Sequence, residues 1–169
     1  MTRLGLLGIA GKISTAYIGQ KALLIYQNHP LFELAGFIAD DPADAGKTLG
    51  EVLQDRWQAE EPLPAKYADK TFLPADTAVL KKAGLDLVLS TLAGPKARKL
   101  DPVVAAAGIA VVSESVGNRL DADVPLIVPD INADHLAAIP TQQKARGFDR
   151  GFIVSAPVCT AVIVALAMK

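Results

Sequence analysis

Short apolar runs separated by longer mixed segments set the pattern of this chain. Leu4 to Leu7, Phe32 to Ala39, Leu85 to Ser90, Ile109 to Ser113 and Gly151 to Ser155 are each four to eight residues long. Continuous runs of that length read as strands buried on both faces of a parallel sheet. Between them lie segments of helical length, the first running to about His29, the others Asp76 to Ala83, Pro95 to Gly108 and a closing stretch to Lys169. Asn28-His29-Pro30 stops the first helix, because proline cannot continue it, and Gly84 is the glycine that ends the second. Residues 44–72 are polar and carry Pro62 and Pro64, which break any long element. A surface excursion is expected there, returning through Thr71-Phe72-Leu73. Alternation of strand and helix predicts an α/β fold, Rossmann-like and doubly wound, with a mostly parallel sheet and helices on both faces. Residues 1–169 read as one domain.

The first strand ends in a glycine-spaced turn, Gly8-Ile-Ala10-Gly11-Lys12-Ile13-Ser14, followed by Gly19. Glycines there let a backbone approach a pyrophosphate, and the free N–H groups of the next helical turn point at it. The dinucleotide fingerprint wants G-x-G-x-x-G, and either Ser14 or Gly19 could fill the third slot. A phosphate-loop reading fails, because Ile13 follows Lys12 where Ser or Thr is needed. Asp40 closes the second strand. It reads either as the acceptor for a ribose 2′-hydroxyl, which would favour NAD over NADP, or as a turn cap before Pro42. Ligands of this architecture bind beyond the carboxyl ends of the strands, where Gly8 to Gly11, Asp40, Ser90, Thr91 and Ser113 all fall.

Composition narrows the class. Of 169 residues, 51% are hydrophobic and the net charge is −1 with no basic cluster, which argues against a nucleic-acid partner. No apolar run reaches the roughly 18 residues of a membrane span. One cysteine excludes an intramolecular disulfide, and with no leader pattern a cytoplasmic location is expected. That residue, Cys159, follows a strand and Pro157 and opens a helix. It is either a thiol activated by the helix N-terminus or a small packed hydrophobe. The two histidines are His29 and His135. Neither has an obvious route to Cys159, and His135 reads as a helix-end or packing residue.

Longer motifs carry a likeness. Val111 to Leu136, including Ser115-Val-Gly-Asn-Arg119 and Pro129-Asp-Ile-Asn132, together with Gln142-Gln-Lys-Ala-Arg-Gly147, Gly151 to Thr160 and Asn28-His-Pro-Leu-Phe-Glu33, resembles aspartate-semialdehyde dehydrogenases of the archaeal and fungal kind. The resemblance implies a dinucleotide domain for NADP or NAD and an enzyme of amino-acid biosynthesis. A cysteine attacks the aldehyde, the thiohemiacetal passes hydride to the nicotinamide, and phosphate releases the thioester. By position Cys159 would be that nucleophile and Arg119 would bind phosphate. Gly8, Ala10, Gly11, Lys12 and Ile13 would cradle the cofactor, with Asp40, Ser90 and Thr91 beside it.

The sequence departs from that pattern in several places. Val158, Ala156 and Glu114 stand where the family carries asparagines, and Asp40-Asp41-Pro42-Ala43 replaces its serine and arginine for a 2′-phosphate. The family's substrate-binding and dimerisation domain is expected to be missing after the closing helix. The expectations are then a domain inactive or incomplete by itself, or a non-catalytic binding protein descended from the family. An apolar closing helix suggests self-association or a companion subunit.

Overall fold

The computed structural model describes residues 1–11 and 14–169. Lys12 and Ile13, two of the expected cradle residues, lie outside the described residues, as does the Ser14 side chain. Six strands, β1 (Thr2–Leu7), β2 (Phe32–Ile38), β3 (Phe72–Leu73), β4 (Leu87–Ser90), β5 (Ala110–Ser113) and β6 (Phe152–Ser155), form one sheet in the order β3-β2-β1-β4-β5-β6. Every pairing is parallel. The chain starts in the middle, builds outward to β3, then returns to β4, so a crevice opens beyond the carboxyl ends of β1 and β4. The predicted doubly wound α/β fold is the observed one.

Helices α1 (Ser14–Tyr26), α2 (Leu49–Leu53), α3 (Ala65–Ala68), α4 (Thr77–Lys82), α5 (Gly94–Ala106), α6 (Pro129–Asn132), α7 (Ile139–Arg146) and α8 (Cys159–Ala167) make the connections. Side chains alternate between the faces of each strand. Leu7, Val88, Val111 and Ile153 pack on one face with Leu80 of α4 and Ala97 and Val104 of α5. Leu4, Leu6 and Phe37 pack on the other with Ala22 and Leu23 of α1 and Leu49, Val52 and Leu53 of α2. This second layer stops short: Leu87, Leu89, Ala110 and Val112, facing the α1 side, stay half-buried. Asp76 caps α4 by accepting from Ala78 N and Val79 N, and Gly147 closes α7 in the left-handed conformation at φ 67°.

The stretch 44–72 differs from a simple surface excursion. Thr48 and Glu51 form a reciprocal capping box on α2, which lets a five-residue helix bury three apolar side chains. Tyr67 stacks edge-on against Phe37. Buried Gln20 of α1 ties the stretch to the glycine turn. Its Nε2 donates to the Ile9 and Arg56 carbonyls (3.0 and 2.9 Å), and its Oε1 accepts from Gln58 N at 2.7 Å. Prolines ruled out length but not burial.

Candidate functional site

Gly8 stands at φ +104° at the end of β1, a conformation a side chain rarely adopts. A Cβ there would lie 2.9 Å from Thr91 Oγ1 and 3.1 Å from Leu92 N. Gly19, on α1, is forced by the same neighbour: its Cβ would meet Thr91 Oγ1 at 2.7 Å and Ile9 Cγ2 at 2.9 Å. Close helix-on-strand packing is the task of the third fingerprint glycine, and Gly19 performs it here. Thr91, 2% exposed, is thus the post around which turn and helix close.

Above the turn lies a cavity of about 480 Å³ lined by Gly8, Ala10, Gly11, Thr15, Asp40, Arg56, Leu92 and Lys96, among others. A second hollow of about 290 Å³ adjoins it through Thr15, Leu92 and Ala93 and runs on to Thr91, Glu114, Ser115 and Val116. Together they form a trough across the crest of the sheet, from Asp40 at one end to Glu114 at the other. The size is that of a small-molecule site. Gly8, Ala10 and Gly11 line its centre with backbone and small side chains, which suits the close approach of a dinucleotide pyrophosphate.

Charges cluster at the Asp40 end. Lys96 Nζ sits 2.6 Å from Asp40 Oδ2. Arg56 donates from Nη1 and Nη2 to the two oxygens of buried Asp44, at 2.6 and 3.2 Å, and from Nη1 to the Ala10 carbonyl at 3.1 Å. Asp41 caps the following 3-10 turn by accepting from Ala43 N. Capping therefore falls to Asp41, and Asp40 faces the cavity.

Ser90 is not brought to the trough. Its side chain is buried, and its Oγ donates to Asp101 of α5 at 2.6 Å. Ser113 Oγ and Asn118 Nδ2 donate to the same carboxylate at 2.7 and 3.0 Å. Burial pushes the Asp101 carboxyl above its ordinary value of 3.8, although those three bonds pull it down. Ser90 and Ser113 end adjacent strands in register, so a single carboxylate reaching down from α5 collects both hydroxyls. Ser155, next in register on β6, has a buried Oγ with no partner among the described residues.

Beyond Ser155 the chain reaches the thiol. Cys159 opens α8 and is exposed. Arg119 does not stand free beside it: Nε donates to the Ala156 carbonyl at 2.9 Å and Nη2 to the Glu114 carbonyl at 3.0 Å. Arg119 thereby staples the loop after β5 to the segment that leads into α8. No residue of α8 is buried, and Ile163 is 67% exposed.

The fold and the trough fix what the comparisons mean. The family described as "Semialdehyde dehydrogenase, NAD binding domain" matches residues 5–139. The chain belongs to that family. Aspartate-semialdehyde dehydrogenase of Archaeoglobus fulgidus is 35% identical over 162 residues, covering 96% of this chain and 45% of that protein. The Trichophyton rubrum enzyme of the same name is 36% identical over 160 residues, covering 95% and 41%. Among solved structures, the Candida albicans aspartate-semialdehyde dehydrogenase with NADP superposes with a TM-score of 0.76 at 28% identity, over 96% of this chain and 44% of that one. The chain therefore spans less than half the length of these relatives, as an NAD(P)-binding domain.

Several motifs that carried the resemblance turn out to hold the scaffold. Buried Gln142 donates to the Asp123 and Ile153 carbonyls and accepts from Ile153 N, completing the outer edge of β6. Arg146 pairs with Asp121 and Asp123. Its donation to Asp123 holds that carboxyl below the ordinary range. Asn132 accepts from Val128 N and lies 3.0 Å from His135 Nδ1, so His135 is a local helix-end contact. Sequence reading missed Arg56, Lys96 and Asp101.

Among the described residues no helix is long and apolar enough to cross a membrane.

Proposed function

We propose that the chain is the cofactor-binding half of an aspartate-semialdehyde-dehydrogenase-like oxidoreductase and turns over no substrate alone. The carrying observation is the pair Gly8 and Gly19 closed on Thr91 beneath a trough that runs from Asp40 to Glu114. Gly8, Ala10 and Gly11 would hold the pyrophosphate. Asp40 would accept the adenosine ribose hydroxyls, favouring NAD, and the nicotinamide would lie toward Thr91, Glu114 and Ser115. When bound, the dinucleotide supplies a hydride acceptor or donor. Cys159 would contribute the nucleophilic sulfur, and Arg119 would set the loop that aims it.

An apolar α8 with no buried residue supports a companion subunit or a second copy covering it, since exposed apolar patches of this kind mark interaction sites. Such a partner would bring a proton-transfer group to Cys159. A non-catalytic binding role is the second reading, favoured by Val158, Ala156 and Glu114 at positions where the family carries asparagines.

Calorimetric titration with NAD and NADP tests the cofactor reading, with tighter NADP binding overturning the assignment of Asp40. Aldehyde-dependent reduction of either cofactor at the rate of an ordinary dehydrogenase would refute the claim of incompleteness. A clean monomer by mass measurement in solution would count against a partner on α8.

A further inference from the structure

Asp40 and Lys96 come from opposite sides of the crevice, one at the end of β2 and the other in the first turn of α5. Their side chains meet at 2.6 Å in the same cavity wall. The two are unequally held. The Asp40 side chain is 5% exposed, so its carboxylate is a fixed feature of the pocket; that of Lys96 is 50% exposed and rides on a flexible four-carbon stem. One of the three ammonium donors faces Asp40, which leaves two for a ligand. Arg56, the other cation of this wall among the described residues, is committed to Asp44 and the Ala10 carbonyl. Asp41 is committed to its own turn.

We propose that Lys96 is the residue that decides how strongly this site discriminates between NAD and NADP. The inference rests on the cofactor reading above. With Lys96 in place, Asp40 presents a neutral pair, and the ammonium remains free to lean toward a 2′-phosphate. Without it, the Asp40 carboxylate faces that phosphate with its direct ion-pair partner gone and Arg56 already bound to Asp44, and like charges held a few ångströms apart in a partly dry pocket repel strongly. NAD, with a neutral 2′-hydroxyl that needs only an acceptor, is indifferent to the loss. The wild-type preference for NAD is therefore modest, and its size is set from α5 and not from the β2 loop alone.

Calorimetric titration of the wild type, Lys96→Ala, Lys96→Arg and Lys96→Ala/Asp40→Asn with both cofactors tests this. The wild type should favour NAD by less than about tenfold. Lys96→Ala should weaken NADP binding at least tenfold with NAD changed less than about threefold, and should flatten the salt dependence of NADP binding. Lys96→Arg should keep the wild-type ratio. The double variant removes the stranded charge and should recover most of the NADP affinity, which also covers the case that Lys96→Ala alone folds poorly. Equal effects of Lys96→Ala on both cofactors, or no effect on either, would overturn this inference while leaving the cofactor reading intact. A wild type that binds neither cofactor would overturn both.

Discussion

The glycine turn and the segment that carries the thiol are built differently. At the turn, Gly8, Gly19 and Thr91 interlock so closely that an added side chain would clash. Gln20 and Arg56 then bind the excursion to the turn through backbone carbonyls. At the thiol end, Cys159 and α8 carry no buried side chain, and the joints are Arg119 to Ala156 and Lys169 to the Asp130 carbonyl. Where a ligand must meet a fixed backbone, the chain has invested its close packing. Around the thiol it has not: no residue of α8 is buried. Preorganisation is what makes a site precise, and only one half here has it.

Substitutions sharpen that contrast. Gly8→Val should have the largest effect: it places branched carbons into Thr91 at a strained φ, abolishing dinucleotide binding by calorimetry and costing roughly 3 kcal/mol of stability. Retained binding would remove the cradle assignment. Asp101→Ala should come next, at about 2–4 kcal/mol in urea unfolding, because Ser90, Ser113 and Asn118 lose a shared acceptor in the core. A loss under about 1 kcal/mol would show that the hub is dispensable.

The pH dependence of these anchors has opposite signs. Burial raises the Asp101 carboxyl, so the folded state holds that proton more tightly than the unfolded chain. Its contribution to stability is complete below the ordinary value of 3.8 and is lost as pH rises through the raised one. Asp123 is lowered by Arg146, so its contribution is present above the ordinary value and is lost on acidification through the depressed one. Arg146→Ala should therefore cost roughly 1–3 kcal/mol near neutrality and much less in acid, read from melts across pH. Asp101→Asn should flatten the part of the profile that declines above the ordinary carboxylate range.

The thiol end should respond least. Arg119→Ala should cost under about 1 kcal/mol yet alter the alkylation rate of Cys159, since it loosens the joint at Ala156. Cys159→Ser should stay within about 0.5 kcal/mol of the wild type. A large loss from either would mean that this end is as tightly built as the other.

Much of the fold was legible in the chain because its signals are local. Apolar runs marked the central strands within a residue or two, and Asp76 and Gly84 bracketed α4. Residues 44–72 misled because prolines and charges conceal a five-residue helix whose burial depends on α1 and β2 being present. Ser90 misled for a related reason. Its position at a strand end is local, but the direction in which its hydroxyl points is decided by Asp101, eleven residues on.

By itself, then, the order of residues determined a parallel doubly wound sheet, a glycine turn after its first strand and a family, since each rests on spacing within a short window. Tertiary structure alone decided that Gly19 closes on the strand through Thr91 and Ile9. It also decided that Asp40 stands opposite Lys96, and that three donors from separate elements converge on one buried carboxylate. These are relations between segments far apart in sequence, and such contacts exist only once the sheet has brought its strand ends side by side.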